Sequence, residues 1–374
     1  MNVLITGGSG FIGSALALKL VDNNYIVTVL DNLSPQIHGS NPEESELYIK
    51  IKDKVNFIKG DVRNLEDWKK AINDNHIIIH LAAETGTGQS MYEIERYVDV
   101  NINGTALFLD YIANNKTNVK KVIVASSRSI YGEGKYVDSK NEIHYPVSRN
   151  EAQMQQRQFE PEHNEEALRA VATDESSKIH PISIYGITKQ VQEQLVLNVC
   201  KSIGIAGVAL RFQNVYGPGQ SLTNPYTGIL SVFSNLILNK KNINIFEDGL
   251  ESRDFVYIDD VVNSIELALT NENANNKSFN VGTGVATTVL EVASILQQCY
   301  SIEVPTIISG NYRLGDIRHN FADVSKIKND INWIPQTNIK QGLENFSKWV
   351  MGQKLPELQY EKSLDEMKEK GMFK

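Results

Sequence analysis

Short apolar runs alternate with longer amphipathic stretches along the first half of the chain. The runs fall at residues 2–6, 26–30, 55–58, 77–82, 121–126 and 206–212. Several, such as Ile77-Ile78-Ile79 and Val122-Ile123-Val124, are apolar without alternation, as befits strands covered by helices on both faces. Between the first two runs, Ile12, Leu16 and Leu20 recur at four-residue spacing with Ala15 beside them; that is one face of a helix packing on a sheet. The repetition predicts βαβ units and a parallel sheet. The expected fold is α/β, a Rossmann-like doubly wound parallel sheet over residues 1–212. A smaller substrate-binding lobe in residues 213–374 follows, with a strand and helix around 243–270 returning to the sheet.

Two stretches break the rhythm. Residues 138–180 form a polar insertion with nine acidic residues, five basic ones and no glycine, and its run from Glu151 to Ala172 suits a helix. A lid over a ligand and a partner surface are both open for it. The segment Leu355 to Lys374 reads as a short charged helix or a frayed end.

Composition adds mainly exclusions. At 374 residues, with 41% apolar and 22% charged positions, the chain buries a core without staples. Its net charge of −8 means that a phosphate-bearing ligand must be met by local features. No basic stripe suggests nucleic acid. Cys200 and Cys299 are the only cysteines, so no disulfide framework or cysteine-rich zinc site is expected. No apolar run reaches the ~18 residues of a membrane span and no leader pattern is visible; a cytoplasmic protein away from membranes is the expectation.

The first strand leads through Thr6-Gly7-Gly8-Ser9-Gly10-Phe11-Ile12-Gly13 into the first helix. Glycines at 7, 10 and 13 allow a tight turn, close approach of backbone to a pyrophosphate, and close helix–strand packing. The helix N-terminus then offers free N–H groups to the diphosphate. The second strand ends in Asp31, 18 residues past Gly13. A carboxylate there accepts both hydroxyls of an adenosine ribose and repels a 2′-phosphate, favouring NAD over NADP. Asp61-Val62 after the third strand suits the adenine edge, and Leu81-Ala82-Ala83 after the fourth offers small side chains beside a cofactor.

Tyr185 and Lys189 lie four residues apart, on one helical face. Oxidation at an alcohol carbon needs a base for the hydroxyl proton, and a phenol with a pKa near 10 needs help at neutral pH. A neighbouring ammonium favours the phenolate. Ser126-Ser127-Arg128-Ser129 ends the fifth strand, where ligands bind in such sheets.

These motifs, together with Asp61-Val62-Arg63, His80-Leu81-Ala82-Ala83, Asn101-Ile102-Asn103-Gly104-Thr105 and Leu210-Arg211-Phe212-Gln213-Asn214-Val215-Tyr216-Gly217-Pro218, occur in the order seen in the extended short-chain dehydrogenases that act on nucleotide sugars. The chain resembles that family over about residues 1–350. The resemblance implies that Ser127 is the catalytic hydroxyl, Tyr185 the base and Lys189 the residue holding the nicotinamide ribose. It assigns to NAD the residues Gly7, Gly10, Phe11, Ile12, Gly13, Asp31, Asn32, Asp61, Val62, Leu81, Ala82, Ala83, Asn101, Tyr185 and Lys189. To a nucleoside-diphosphate sugar it assigns Thr87, Ser127, Arg128, Asn214, Arg253, Arg313 and Asp316, with the two later arginines on the diphosphate and Asp316 on the nucleotide ribose. A homodimer built through a four-helix interface is implied as well.

Reaction type follows from one position. Dehydratases of the family place Asp-Glu directly after the catalytic hydroxyl; here Arg128 and Ser129 stand there, and neither serves as that acid–base pair at neutral pH. Epimerisation at C4 needs little beyond Ser127, Tyr185 and NAD. The runs Ala82–Tyr92, Ser126–Gly134 and Gly217–Gly228 resemble the branch containing dTDP-L-rhamnose 4-epimerases, with Glu84–Met91 facing the sugar. UDP-hexose epimerisation, net NAD-dependent oxidation or reduction, and an NAD-responsive regulatory role are the competing readings. Several members of that branch carry cysteine pairs in the insertion, suggestive of a structural metal. This insertion offers only His144, His163 and His180 without metal-like spacing, so no metal is expected.

Overall fold

The computed structural model describes residues 1–222, 228–354, 360–371 and 373–374, with backbone alone at 360–363 and 367. Residues 223–227 of the Gly217–Gly228 run and 355–359 of the last segment therefore lie outside the described residues.

Seven strands, β1 (Asn2–Thr6), β2 (Ile26–Asp31), β3 (Asn56–Lys59), β4 (Ile77–His80), β5 (Lys121–Ser127), β6 (Ala206–Phe212) and β7 (Lys277–Val281), form one parallel sheet. Their order is β7-β6-β5-β4-β1-β2-β3. The register sets Val3 beside Val27 and Ile77, and Phe212 beside Ser127. The order reverses between β1 and β4, which opens a crevice at the carboxyl ends of those strands. All six apolar runs became strands, with ends shifted by up to two residues.

Helix α1 (Phe11–Asp22) buries Leu16, Ala17 and Leu20 completely against Val3, Ile5, Val27 and Val29. The far face of the sheet is covered by α2 (Leu65–Ile72), α3 (Gly104–Asn114) and α4 (Ile184–Ser202), whose Trp68, Phe108 and Val196 close a second core around Leu4, Ile78 and Val122. Burying a side chain of that size stabilises the fold by roughly 1.5–3 kcal/mol each, so the two layers hold the sheet rigid.

The stretch around 243–270 divides between the two parts. Its helix α5 (Ile258–Thr270) packs on α1 and the central sheet. Its strand Ile243–Ile245 does not join that sheet but pairs with Thr306–Ile308. The strand that returns is β7. The lobe is completed by Ser252–Arg253 between Thr287–Thr288 and His319–Asn320, and by α6 (Val289–Tyr300) and α7 (Ile339–Met351).

The helix suited to Glu151–Ala172 is confined to Glu151–Gln155. Arg157 then adopts φ 61°, and the residues Asn164 and Glu165, with φ 50° and 64°, turn a small hairpin between Glu162–His163 and Glu166–Ala167. Two successive left-handed residues are the geometry of a two-residue hairpin turn, and no helix passes through them. The rest of the insertion pairs Tyr136–Val137 with Ile143–His144 and Arg169–Ala170. Met154 and Phe159 then seat it on Tyr312 and Leu314 of the lobe. The last segment contains a helix, α8 (Tyr360–Glu369). Among the described residues, no helix is long and apolar enough to cross a membrane.

Candidate active site

The glycine turn is built as a cradle. Gly7 sits at φ 66°, and a Cβ on Gly13 would lie 2.3 Å from the Gly7 carbonyl oxygen, so the helix start presses directly on the strand end. The carboxylate of Asp31 is 8% exposed. It accepts from the Ser9 N–H (2.9 Å) and the Leu33 N–H (2.8 Å). Burial pushes its carboxyl up, against those two bonds and the His38 imidazole. His38, whose Nδ1 lies 2.7 Å from the Ser45 hydroxyl, lines the same cavity. Sequence reading passed over it inside the polar stretch after Asp31. A cavity of about 790 Å³ runs from this turn past Asn32, Val62 and Leu81-Ala82-Ala83 to Ser127, Tyr185 and Lys189. Its donors, its carboxylate and its bare glycine floor suit a dinucleotide.

The catalytic end depends on how α4 meets β5. Ser183 caps the helix by accepting from the Gly186 N–H at 3.1 Å. Gly186 is required there, since a Cβ would lie 2.6 Å from the Ser129 carbonyl. This close approach sets Tyr185 and Ser127 on the wall of one cavity, where the serine works against the burial of the phenol. The Ser127 oxygen accepts from the Ser129 N–H (3.2 Å) and hydroxyl (2.7 Å), which leaves its own proton for the cavity. Tyr185 is steadied by Ser90, whose hydroxyl accepts from the Tyr185 N–H at 3.0 Å.

The electrostatics differ from the expectation in one respect. Burial raises the Tyr185 phenol, and the groups that oppose it are Ser127 and the Arg128 guanidinium. The Lys189 ammonium instead donates to the Ala125 carbonyl (2.8 Å) and Gln192 Oε1 (2.9 Å). Burial alone presses it down to about 7. The Arg128 guanidinium thus works against the burial of the phenol. Below the site, Glu193 joins Ser126 (2.6 Å) to Arg211 (2.5 Å), and Arg211 reaches the Tyr131 hydroxyl at 2.6 Å. A buried pair of this kind fixes geometry more than it adds stability.

A second cavity of about 270 Å³ opens from the first, the two sharing Thr87, Arg128 and Asn214. The Glu84–Met91 loop faces it through Thr87, Gly88 and Met91. Arg128 donates from Nε to Asn214 Oδ1 (2.6 Å), while its Nη1 is buried without a protein partner among the described residues. At the far end stand Arg253, Arg313 and Asp316. Arg253 is braced by the carbonyls of Ser252, Ile317 and Arg318 and by Asp316 at 3.2 Å. Burial opposes the Asp316 charge, yet Arg253, Arg313, Arg149 and Arg128 together hold its carboxyl below the usual range.

Two residues assigned to the cofactor are not among those that line the cavity. Asn101 is fully buried, and its amide is taken up by Glu84 and by the Thr188 hydroxyl at 2.9 Å; it ties the loop after β4 to α4 and does not line the cavity. Asp61 stands behind Gly60 and Val62, its carboxylate held by Arg63 and Asn32. Arg149, from the insertion, was not foreseen. It donates to Glu247 (2.8 Å) and to the Asp316 carbonyl (3.0 Å), joining segments far apart in sequence. Asp138, Glu142 and His144 also lie close together. Asp138 already accepts from the N–H groups of Lys140 and Glu142 and contacts His144 at 3.0 Å, so the grouping closes a hairpin.

A serine hydroxyl and a phenol held over a dinucleotide cradle, with a second cavity leading away from them, define a nicotinamide-dinucleotide enzyme that works at an alcohol carbon. The chain belongs to the NAD dependent epimerase/dehydratase family, whose model matches residues 3–155 and 161–282. It is 38% identical over 352 residues to the dTDP-L-rhamnose 4-epimerase of Burkholderia thailandensis, covering 93% of this chain and 94% of that one. Among solved structures it is similar to the UDP-glucuronic acid 4-epimerase of Bacillus cereus in complex with UDP-glucuronic acid and NAD. There the TM-score is 0.77 at 26% identity, over 94% of this chain and 99% of that one. It is also similar to the UDP-glucose 4-epimerase of Thermotoga maritima with UDP-glucose, with a TM-score of 0.76 at 29% identity and the same coverage.

Proposed function

We propose that this protein is a nucleotide-sugar 4-epimerase that interconverts dTDP-L-rhamnose and dTDP-6-deoxy-L-talose with NAD held throughout the cycle. The observation that carries the reading is the junction of the two cavities at Thr87, Arg128 and Asn214, next to Ser127 and Tyr185. A sugar placed at that junction has its ring beside the phenol and its diphosphate toward Arg313 and Arg253. The similarity to the Burkholderia enzyme supports the sugar. A UDP-hexose 4-epimerase is the second reading, favoured by the likeness to the two UDP-sugar structures.

In this account the glycine turn and the N-terminus of α1 hold the NAD diphosphate, Asp31 its adenosine ribose and Lys189 its nicotinamide ribose. When bound, NAD supplies the acceptor for the C4 hydride and later its donor. Tyr185 takes the 4-hydroxyl proton and holds it at the phenolic oxygen, and Ser127 shares that proton through its free O–H. Arg128 favours the phenolate that begins the cycle. After the 4-keto sugar turns over, Tyr185 returns the proton to the new alkoxide. A 6-deoxy sugar has no 6-hydroxyl to lose, and Arg128 and Ser129 would supply no acid for that loss from a sugar that has one. The protein works as a homodimer through helices of the α3 and α4 layer, where Ile187 of α4 stands exposed.

The test is dTDP-L-rhamnose carrying deuterium at C4. Epimerisation by internal hydride return keeps the label on C4 of the product and leaves no lasting absorbance at 340 nm. Loss of label to solvent, or stoichiometric reduced cofactor, contradicts the proposal.

A further inference from the structure

Residues 373–374 lie against the nucleotide end of the second cavity. The Tyr312 N–H donates to the Lys374 carbonyl (3.1 Å), and the Lys374 N–H donates back to the Tyr312 carbonyl (3.0 Å). Arg313 and Phe373 form an antiparallel bridge between them. The Phe373 side chain is 7% exposed, and its ring meets Phe246 edge-on with centroids 5.0 Å apart. On the same phenylalanine lies the Arg313 guanidinium, 4.9 Å from the ring centroid. Phe246 and Arg313 both line the cavity, and Arg313 Nε is buried without a protein partner among the described residues.

We propose that Phe373 is a positioning residue for the nucleoside-diphosphate part of the substrate, acting through Phe246 and Arg313. The inference rests on reading this cavity as the nucleotide-sugar site. An arginine side chain has several rotatable bonds, and stacking on an aromatic face is a way of holding its planar head in one place. That face is itself useful only if the ring cannot turn. Phe373 closes one edge of Phe246, and the backbone pair to Tyr312 holds Phe373 where it is. Tyr312 in turn is buried with Met154 and Phe159, so the insertion braces the same unit. Two outer contacts extend the strap: Lys374 Nζ to Glu151 (3.6 Å) and the Lys370 ammonium 4.5 Å from the Tyr92 ring centroid. Tyr92 follows the Glu84–Met91 loop, so the segment spans from that loop to Arg313. None of Phe246, Arg313 and Phe373 lines the dinucleotide cavity.

The experiment uses the NAD-containing full chain and calorimetric titration with dTDP and, separately, UDP. Phe373→Ala is expected to bind the preferred diphosphate at least tenfold more weakly than wild type, with equal NAD content. Phe373→Tyr restores the edge contact and should bind within about threefold of wild type. In turnover, Phe373→Ala raises KM by the same factor and leaves kcat within about threefold. Should the alanine variant melt early, Phe373→Leu, which keeps the fill and loses the aromatic edge, takes its place. Wild-type affinity and KM in Phe373→Ala or Phe373→Leu overturn the inference, as does a kcat loss with unchanged KM. Failure of the wild type to bind either diphosphate overturns the reading of the cavity itself, and the inference with it.

Discussion

Replacing Lys189 by methionine isolates the cost of burying a cation beneath the active site. Lys189 is 3% exposed, and its ammonium is satisfied by one carbonyl and one amide oxygen, both uncharged. Burial lowers it from 10.5 to about 7. At ~1.4 kcal/mol per pH unit that drop amounts to roughly 5 kcal/mol. Its sign is fixed by linkage: between pH 7 and 10.5 the unfolded chain keeps the proton while the folded chain has released it. The folded state is therefore penalised fully below pH 7, and the penalty fades as pH rises toward 10.5. Methionine has nothing to titrate, and its lost hydrogen bonds add only a constant. Urea unfolding of nucleotide-free wild type and Lys189→Met at pH 6.5, 8.0 and 9.5 reads the difference. Wild-type stability relative to the variant should gain roughly 3 kcal/mol across that range. Glu133 and Glu251, both pushed up to about 7 by burial, titrate with the opposite sign but are present in both proteins and cancel. Differences that stay parallel within about 1 kcal/mol refute the reasoning.

Tyr185→Phe should lower turnover by about 10³-fold or more while NAD remains bound, and near-normal turnover removes Tyr185 as the base. Asp31→Ala leaves the Ser9 and Leu33 N–H groups without their acceptor. It should cost about 2–4 kcal/mol in urea unfolding, weaken NAD in fluorescence titration and relax discrimination against NADP; no change in cofactor preference contradicts the assignment. Arg128→Met removes the charge that lowers the Tyr185 phenol, so the acid limb of kcat/KM should move to higher pH with NAD affinity intact. An unmoved limb shows that Arg128 serves the substrate alone.

What the sequence made legible was whatever depends on neighbours along the chain. The first six strands declared themselves because buried parallel strands need uninterrupted apolar runs, and the glycine turn because a Cβ at Gly13 has nowhere to go. The seventh, Lys277-Ser278-Phe279-Asn280-Val281, escaped because it mixes polar with apolar positions. It is the edge of the sheet, and Asn280 is polar for a reason of long range: it accepts from Tyr131 (2.8 Å) and donates to the Thr173 carbonyl (2.9 Å). Pattern failed for the insertion too, since Glu151–Ala172 has helix-forming residues but is ordered by contacts with Tyr312, Leu314 and Arg318. In the site, Ser127, Tyr185 and Arg128 were all named from local motifs and do meet. Lys189 was named as well, yet its ammonium faces Ala125 and Gln192. Which nearby cation aids the phenol was a question of side-chain direction that spacing does not decide. Arg149, Phe246 and Phe373 carry no local signal; they matter only because the fold brings them to Asp316 and Arg313.

The central claim is inversion at C4 of one nucleotide sugar by an enzyme that keeps its own NAD. The direct test is incubation of purified protein, without added NAD, with dTDP-L-rhamnose, UDP-galactose and UDP-N-acetylglucosamine in separate reactions, resolving the ring protons by NMR. The account expects dTDP-6-deoxy-L-talose from the first and little change in the other two. An epimer from a UDP-sugar alone contradicts the proposed substrate, and no epimer from any of the three, even after NAD is supplied, contradicts the proposed reaction.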